Sequence, residues 1–130
     1  MNKTKLLIVD DCEMNRYLLG VMCKDLEEFE IHEAIDGQDA VDQCEKIRPG
    51  IILMDIMMPR LDGFEASTQI KERYADTIII AVTTMAEVDI EDKITTSGMV
   101  SYIRKPIDKD QLRNELKSHA KTLLISNGGN

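Results

Sequence analysis

No apolar run in this chain of 130 residues approaches the roughly 18 residues that cross a bilayer, so no membrane-spanning helix is expected. The basic start Met1-Asn2-Lys3-Thr4-Lys5 leads only into Leu6-Leu7-Ile8-Val9 before Asp10 stops it, which is too short for a signal peptide. Cysteine is scarce: Cys12, Cys23 and Cys44 are odd in number and lack metal-ligand spacing, and they read as reduced cytosolic thiols. Histidine is scarcer, with only His32 and His119, which leaves zinc without a ligand set. Basic residues are also short, 16 Lys and Arg against 24 Asp and Glu, and the net charge of −8 argues against direct nucleic-acid binding or an acidic membrane surface. Such a balance suits a cytoplasmic domain that gathers cations or meets basic partners. Internal repeats and low-complexity segments are absent.

What is present is a 43% apolar share, ordinary for a globular protein, at a length that supports one domain with one sizeable core. Four short apolar runs stand out: Leu6 to Val9, Ile51 to Met54, Thr77 to Thr83, and Val100 to Ile103, the third β-branched almost throughout. Phe29 to Ala34 alternates loosely, as an outer strand would. Between these lie helical patterns. Met14, Tyr17, Leu18, Val21 and Met22 mark the expected inner face of the first helix, starting near Asp11 or Cys12. Ala40, Val41, Cys44 and Ile47 mark the second, closed by Pro49-Gly50, and Phe64, Ser67, Ile70 and Tyr74 the third. Glu87 to Thr96 reads as a weak, mostly polar helix, and Leu112, Leu116, Ala120 and Leu123 as a closing amphipathic one. The domain is expected over residues 1–125, with Ser126 to Asn130 a disordered tail or the start of a linker. Strand and helix alternate throughout, which predicts an α/β fold. It is a flavodoxin-like (βα)5 three-layer sandwich with a parallel five-stranded sheet of order 2-1-3-4-5.

Ligands of such sheets bind beyond the carboxyl ends of the strands, where the strand order reverses. The polar residues that interrupt the apolar runs all fall at that edge. Asp10 and Asp11 follow the first strand, Asp55 the third, Thr83 the fourth and Lys105 the fifth. Taken alone, Asp55 reads as a turn or cap aspartate, Asp10 as a helix cap and Lys105 as a solvated lysine. Together they converge on the switch point between the first and third strands. Two unit charges about 4 Å apart repel by about 4 kcal/mol at an effective dielectric near 20, so three carboxylates demand positive charge. Lys105 supplies one such charge and a divalent cation is the natural second. Oxygen-only ligands select Mg2+, which usually takes one or two carboxylates together with phosphate oxygens. A carboxylate can accept a phosphoryl group, and Lys105, the cation and the Thr83 hydroxyl would steady its oxygens.

Val9-Asp10-Asp11, Met54-Asp55-Ile56-Met57-Met58-Pro59-Arg60-Leu61-Asp62-Gly63, Ala81-Val82-Thr83 and Tyr102-Ile103-Arg104-Lys105-Pro106 occur in this order, each ending an expected strand. With these motifs the chain, from about residue 4 to residue 125, resembles a response regulator receiver domain of the two-component phosphorelays. The resemblance implies that Asp55 is the phosphoacceptor, that Asp10 and Asp11 hold Mg2+, and that the Met57 backbone carbonyl completes the metal site. It implies phosphoryl binding by Thr83 and Lys105, a switch role for Tyr102 (which the residues alone read equally as a core aromatic), and a cis peptide before Pro106. A histidine kinase or histidine phosphotransfer protein is the implied donor, with an output domain or effector protein downstream. Asn15-Arg16 and Lys105-Pro106-Ile107-Asp108 resemble receivers attached to hybrid kinases.

One departure from the family is Thr84, where a very small residue is usual. It is expected to narrow access to Asp55 and to bear on the phosphorylation rate. Met57 and Met85, two residues after Asp55 and Thr83, are placed by the resemblance beside the phosphoryl group. Two thioethers there are expected to shield the bond from water and lengthen its life. Two rival functions meet specific obstacles. A haloacid dehalogenase-like phosphatase needs a second aspartate where Met57 stands. A flavin carrier on the same fold needs a phosphate loop where Asp11-Cys12-Glu13-Met14-Asn15 stands. A signalling receiver, and not a turnover enzyme, is the expectation that remains.

Overall fold

The computed structural model describes residues 3–85 and 87–128. Five parallel strands, β1 (Thr4–Val9), β2 (Phe29–Ala34), β3 (Ile51–Asp55), β4 (Ile78–Thr83) and β5 (Ser101–Arg104), form one sheet in the order β2-β1-β3-β4-β5. The helices α1 (Glu13–Cys23), α2 (Gly37–Ile47), α3 (Gly63–Arg73), α4 (Glu87–Thr96) and α5 (Lys109–Gly128) alternate with them. The flavodoxin-like expectation is met, including the reversal of strand order between β1 and β3.

Alternate residues of the central strands supply two cores, because successive side chains leave a strand on opposite faces. Leu7, Val9, Ile52, Met54, Ile79 and Ala81 pack with α2, α3 and α4. Leu6, Ile8, Ile51, Leu53, Ile80, Val82 and Ile103 pack with α1 and α5. This explains why the inner strands are continuous apolar runs whereas the edge strand β2 exposes Glu30 and Glu33.

Two sequence expectations need adjustment. The inner face of α1 is not the one expected: Leu19 and Cys23 are buried, with Met22 packed beside them, whereas Met14 is 61% and Tyr17 64% exposed and Leu18 and Val21 also face outward. The helix carries two apolar stripes, and periodicity cannot say which one the sheet takes. The expected β4 and β5 segments each begin one residue later, at Ile78 and Ser101. The closing helix is described to Gly128, which takes in part of the stretch expected as a disordered tail or the start of a linker, while 129 and 130 lie outside the described residues. Among the described residues no helix is long and apolar enough to cross a membrane.

Local chemistry shapes the loops on either side of β3. At the end of α2, Arg48 takes a left-handed conformation (φ 51°) and its N–H donates to the Cys44 carbonyl at 3.1 Å, so Pro49 follows a closed helix end. α3 begins with a capping box in which Asp62 accepts from the Glu65 N–H at 2.8 Å and Glu65 accepts from the Asp62 N–H at 3.0 Å. Gly63 follows immediately, and here glycine is required: a Cβ would lie 2.4 Å from the Asp55 carbonyl oxygen and 2.8 Å from the Ile56 Cα. The helix start is thereby seated directly on the backbone of the β3 terminus.

Candidate functional site

Four of the five strands deliver a polar residue to the same edge because the apolar ladder runs out there. Asp10 lies one residue beyond β1, Asp55 ends β3, Thr83 ends β4 and Lys105 follows β5. Lys105 is steered back toward the sheet by its N–H, which donates to the Thr83 carbonyl at 2.9 Å, and the Lys105–Pro106 peptide is cis, as the sequence resemblance implied. Asp10, Asp11 and Asp55 each offer a carboxylate oxygen within 4.8 Å of the others. Asp10 is 1% and Asp55 5% exposed, whereas Asp11 stands open to solvent.

The charges in this cluster are unevenly answered. Lys105 Nζ lies 3.3 Å from Asp55 Oδ1 and 3.7 Å from Asp10 Oδ2. Asp10 Oδ1 accepts the Cys12 N–H at 2.8 Å, but Asp10 Oδ2 is buried without a hydrogen-bond donor. Burial pushes the Asp55 carboxyl up to about 6, assisted by the neighbouring Asp10 and, more weakly, Asp11, and opposed by Lys105. One lysine is therefore insufficient for three carboxylates. An orphaned buried oxygen facing two further acidic oxygens is a donor set that fits a hard divalent cation.

Around this cluster, Thr83 is buried and its hydroxyl accepts the Met85 N–H at 3.0 Å. Thr84 is exposed and Met85 half-buried beside it. Met57 is 67% exposed, and with Ile56, Met58, Asp62, Phe64, Met85 and Lys93 it lines a pocket of about 410 Å3 on the β4 side of Asp55. Tyr102 is half-buried against the core beneath α4, in the same packing group as Met85. On the other side, Leu18, Leu19, Met22, Pro106 and Ile107 line an apolar groove of about 290 Å3 that reaches Asp10 and Lys105. Of the residues singled out from sequence, the structure thus brings Asp10, Asp11, Asp55 and Lys105 together and sets Met57 with Met85 in the neighbouring pocket, whereas Tyr102 packs in the core away from the carboxylates. The structure adds one that had no role there: Arg16 donates from Nη1 to the Asp10 carbonyl at 2.8 Å and from Nε to Glu33 at 2.9 Å. Its sequence signals were its place in the Asn15-Arg16 pair and a cation early in the helix that follows the paired acids.

A doubly wound parallel sheet with an acidic cluster and a lysine at its switch point defines a CheY-like receiver domain. The response regulator receiver domain profile matches residues 6–117, and the chain belongs to that family. It is 37% identical over 113 residues to a chemotaxis protein CheY of Halobacterium salinarum, covering 86% of this chain and 92% of that protein. It is also 37% identical over 121 residues to hybrid signal transduction histidine kinase H of Dictyostelium discoideum, covering 87% of this chain but only 9% of the kinase. Among solved structures, the receiver domain of sensor histidine kinase PA1611 from Pseudomonas aeruginosa, described with magnesium in its active-site cleft, is 30% identical. It superposes with a TM-score of 0.80 over 89% of this chain and 96% of that one. The signal receiver domain of a LuxO-type repressor from Vibrio parahaemolyticus gives 0.88 at 25% identity over 95% of each chain. This is a receiver domain of two-component signalling.

Proposed function

We propose that Asp55 is the phosphoacceptor of this receiver and that its donor is a phosphohistidine on a histidine kinase or histidine phosphotransfer protein. The observation that carries this reading is the meeting of three carboxylates within 4.8 Å with Lys105 Nζ at 3.3 Å from Asp55. In the transfer, an Asp55 carboxylate oxygen attacks phosphorus, the bond from phosphorus to the donor nitrogen breaks, and the imidazole nitrogen keeps the electron pair. Lys105, already paired to Asp55, follows the charge onto the phosphoryl oxygens. Asp10, Asp11, Asp55 and the Met57 carbonyl are the groups that would hold Mg2+, the family's ion. That ion supplies positive charge against the carboxylates and the incoming phosphoryl group. Thr83 turns its hydroxyl from the Met85 N–H to a phosphoryl oxygen, and Tyr102 moves into the space vacated beneath α4. The surface of α4, β5 and α5 then changes, and an effector protein or output domain reads it. This is a shift between two existing states.

Met57 occupies the place where a phosphatase of the aspartyl-intermediate type needs an acid, which supports a long-lived signal over turnover. Thr84 and Met85 crowd the same approach. The groove of Leu18, Leu19, Met22, Pro106 and Ile107 with the outward stripe of α1 offers the donor an apolar seat next to Asp55. A cytoplasmic setting, where such donors present their histidines, accords with this scheme.

The test is incubation with acetyl phosphate, with and without Mg2+. The expected product is a single phosphoryl group on Asp55 that is Mg2+-dependent and labile to hydroxylamine, as an acyl phosphate is. A label that maps to serine, threonine or histidine refutes the assignment.

A further inference from the structure

Arg16 contacts the site, yet the phosphoryl chemistry does not use it. Its side chain is 13% exposed, and it bridges two elements: Nη1 reaches the Asp10 carbonyl at 2.8 Å and Nε the Glu33 carboxylate on β2 at 2.9 Å. β1 ends at Val9, so the Asp10 carbonyl lies beyond the strand ladder and needs a donor from elsewhere. The Asp10 N–H is held separately, by the Ala34 carbonyl at 3.3 Å. The carbonyl that Arg16 grips belongs to the peptide unit joining Asp10 to Asp11. That unit is planar, so fixing its carbonyl also fixes the Asp11 N–H and the position of the Asp11 Cα from which its side chain departs. Rotation of this plane would swing the exposed Asp11 away from the buried Asp10 and Asp55.

We infer that Arg16 is a positioning residue for the cation site: by tying the Asp10–Asp11 peptide plane to β2, it sets the two carboxylates at binding distance. The inference rests on the Mg2+ reading given above. A guanidinium suits the task because its planar fork spans two acceptors on different elements, which the single ammonium of lysine does not. Electrostatics alone predicts the opposite sign, since a cation beside an acidic cluster opposes binding of a second cation and its removal should tighten binding.

Mg2+ itself is the probe, titrated by calorimetry into the full chain and its Asp11→Asn, Arg16→Lys and Arg16→Met variants, with thermal melts recorded without metal. Arg16→Lys keeps the charge and is expected to melt within about 4 °C of the parent, yet to bind Mg2+ about tenfold more weakly or worse. Arg16→Met is expected to bind more weakly still, and if it does not fold, Arg16→Lys alone decides. Binding by Arg16→Lys equal to the parent, or tighter binding by Arg16→Met, overturns the inference while leaving the metal site standing. A parent that binds no Mg2+, or an Asp11→Asn variant that binds as the parent does, strikes down the metal reading and this inference with it.

Discussion

Replacing Asp55 by Asn should stabilise the metal-free protein, and the gain should depend on pH. Burial holds the Asp55 carboxyl up from 3.8 to about 6, with Asp10 and Asp11 adding to the rise and Lys105 opposing it. The folded state therefore binds this proton more tightly than the unfolded chain does. The corresponding stabilisation is complete below the ordinary value of 3.8 and is lost as the pH climbs through about 6. At pH 7.5 the ionised carboxylate is thus a liability. A rise of about two pH units, at about 1.4 kcal/mol each, corresponds to about 3 kcal/mol. Asparagine keeps the shape without the charge, so Asp55→Asn should recover much of this, raising the melting temperature by about 10 °C in a domain of this size. The assay is paired melting of parent and variant in chelator from pH 4 to 8, taking the difference at each pH so that the other acidic residues cancel. The difference should be largest above pH 7 and fade toward pH 4. Added Mg2+ should narrow it at pH 7.5, because the ion stabilises only the form that binds it. An Asp55→Asn variant that melts no higher than the parent at pH 7.5, or a gap that is flat with pH, would refute the reasoning that burial and crowding strain this carboxylate.

Further outcomes follow from the same geometry. Gly63→Ala should destabilise the fold by about 1–3 kcal/mol, because its Cβ would press on the Asp55 carbonyl and the Ile56 Cα and force the backbone to shift; an unchanged denaturant midpoint would show the contact to be soft. Met57→Asn and Met85→Glu should each hasten decay of the phosphorylated protein in Mg2+, by about tenfold for each water-orienting contact worth about 1.4 kcal/mol; decay of the parent as fast as that of the double variant would show that the methionines do not shield the bond. Addition of a beryllofluoride mimic should change amide exchange between residues 87 and 106, because α4 is mostly polar and buries chiefly Ile90 and Ile94; identical exchange with and without the mimic would exclude the proposed change at α4 and β5.

The strands and the edge that carries the site could be read from the sequence for a physical reason. A parallel sheet covered on both faces demands uninterrupted apolar strands, so Asp10, Asp55, Thr83 and Lys105 stand out as the residues that end them. The order of those interruptions, with Pro59 and Gly63 after the third, is local information that sequence retains in full. The inner face of α1 was not legible. Met14, Tyr17, Leu18 and Val21 form as regular a stripe as Leu19, Met22 and Cys23, and only the docking of the helix on β1 and α5 decides which is covered. Nor could the sequence show that Asp10 Oδ2 is left without a donor. Arg16 is the clearest case: its partners are the Asp10 carbonyl, just past the end of β1, and Glu33 on β2. Periodicity and motif spacing record what a residue is and where its own element begins and ends. Which helix face is buried, which polar atom is left unpaired and which contacts bridge two elements arise from elements brought together across the sheet, and these the tertiary structure alone decided.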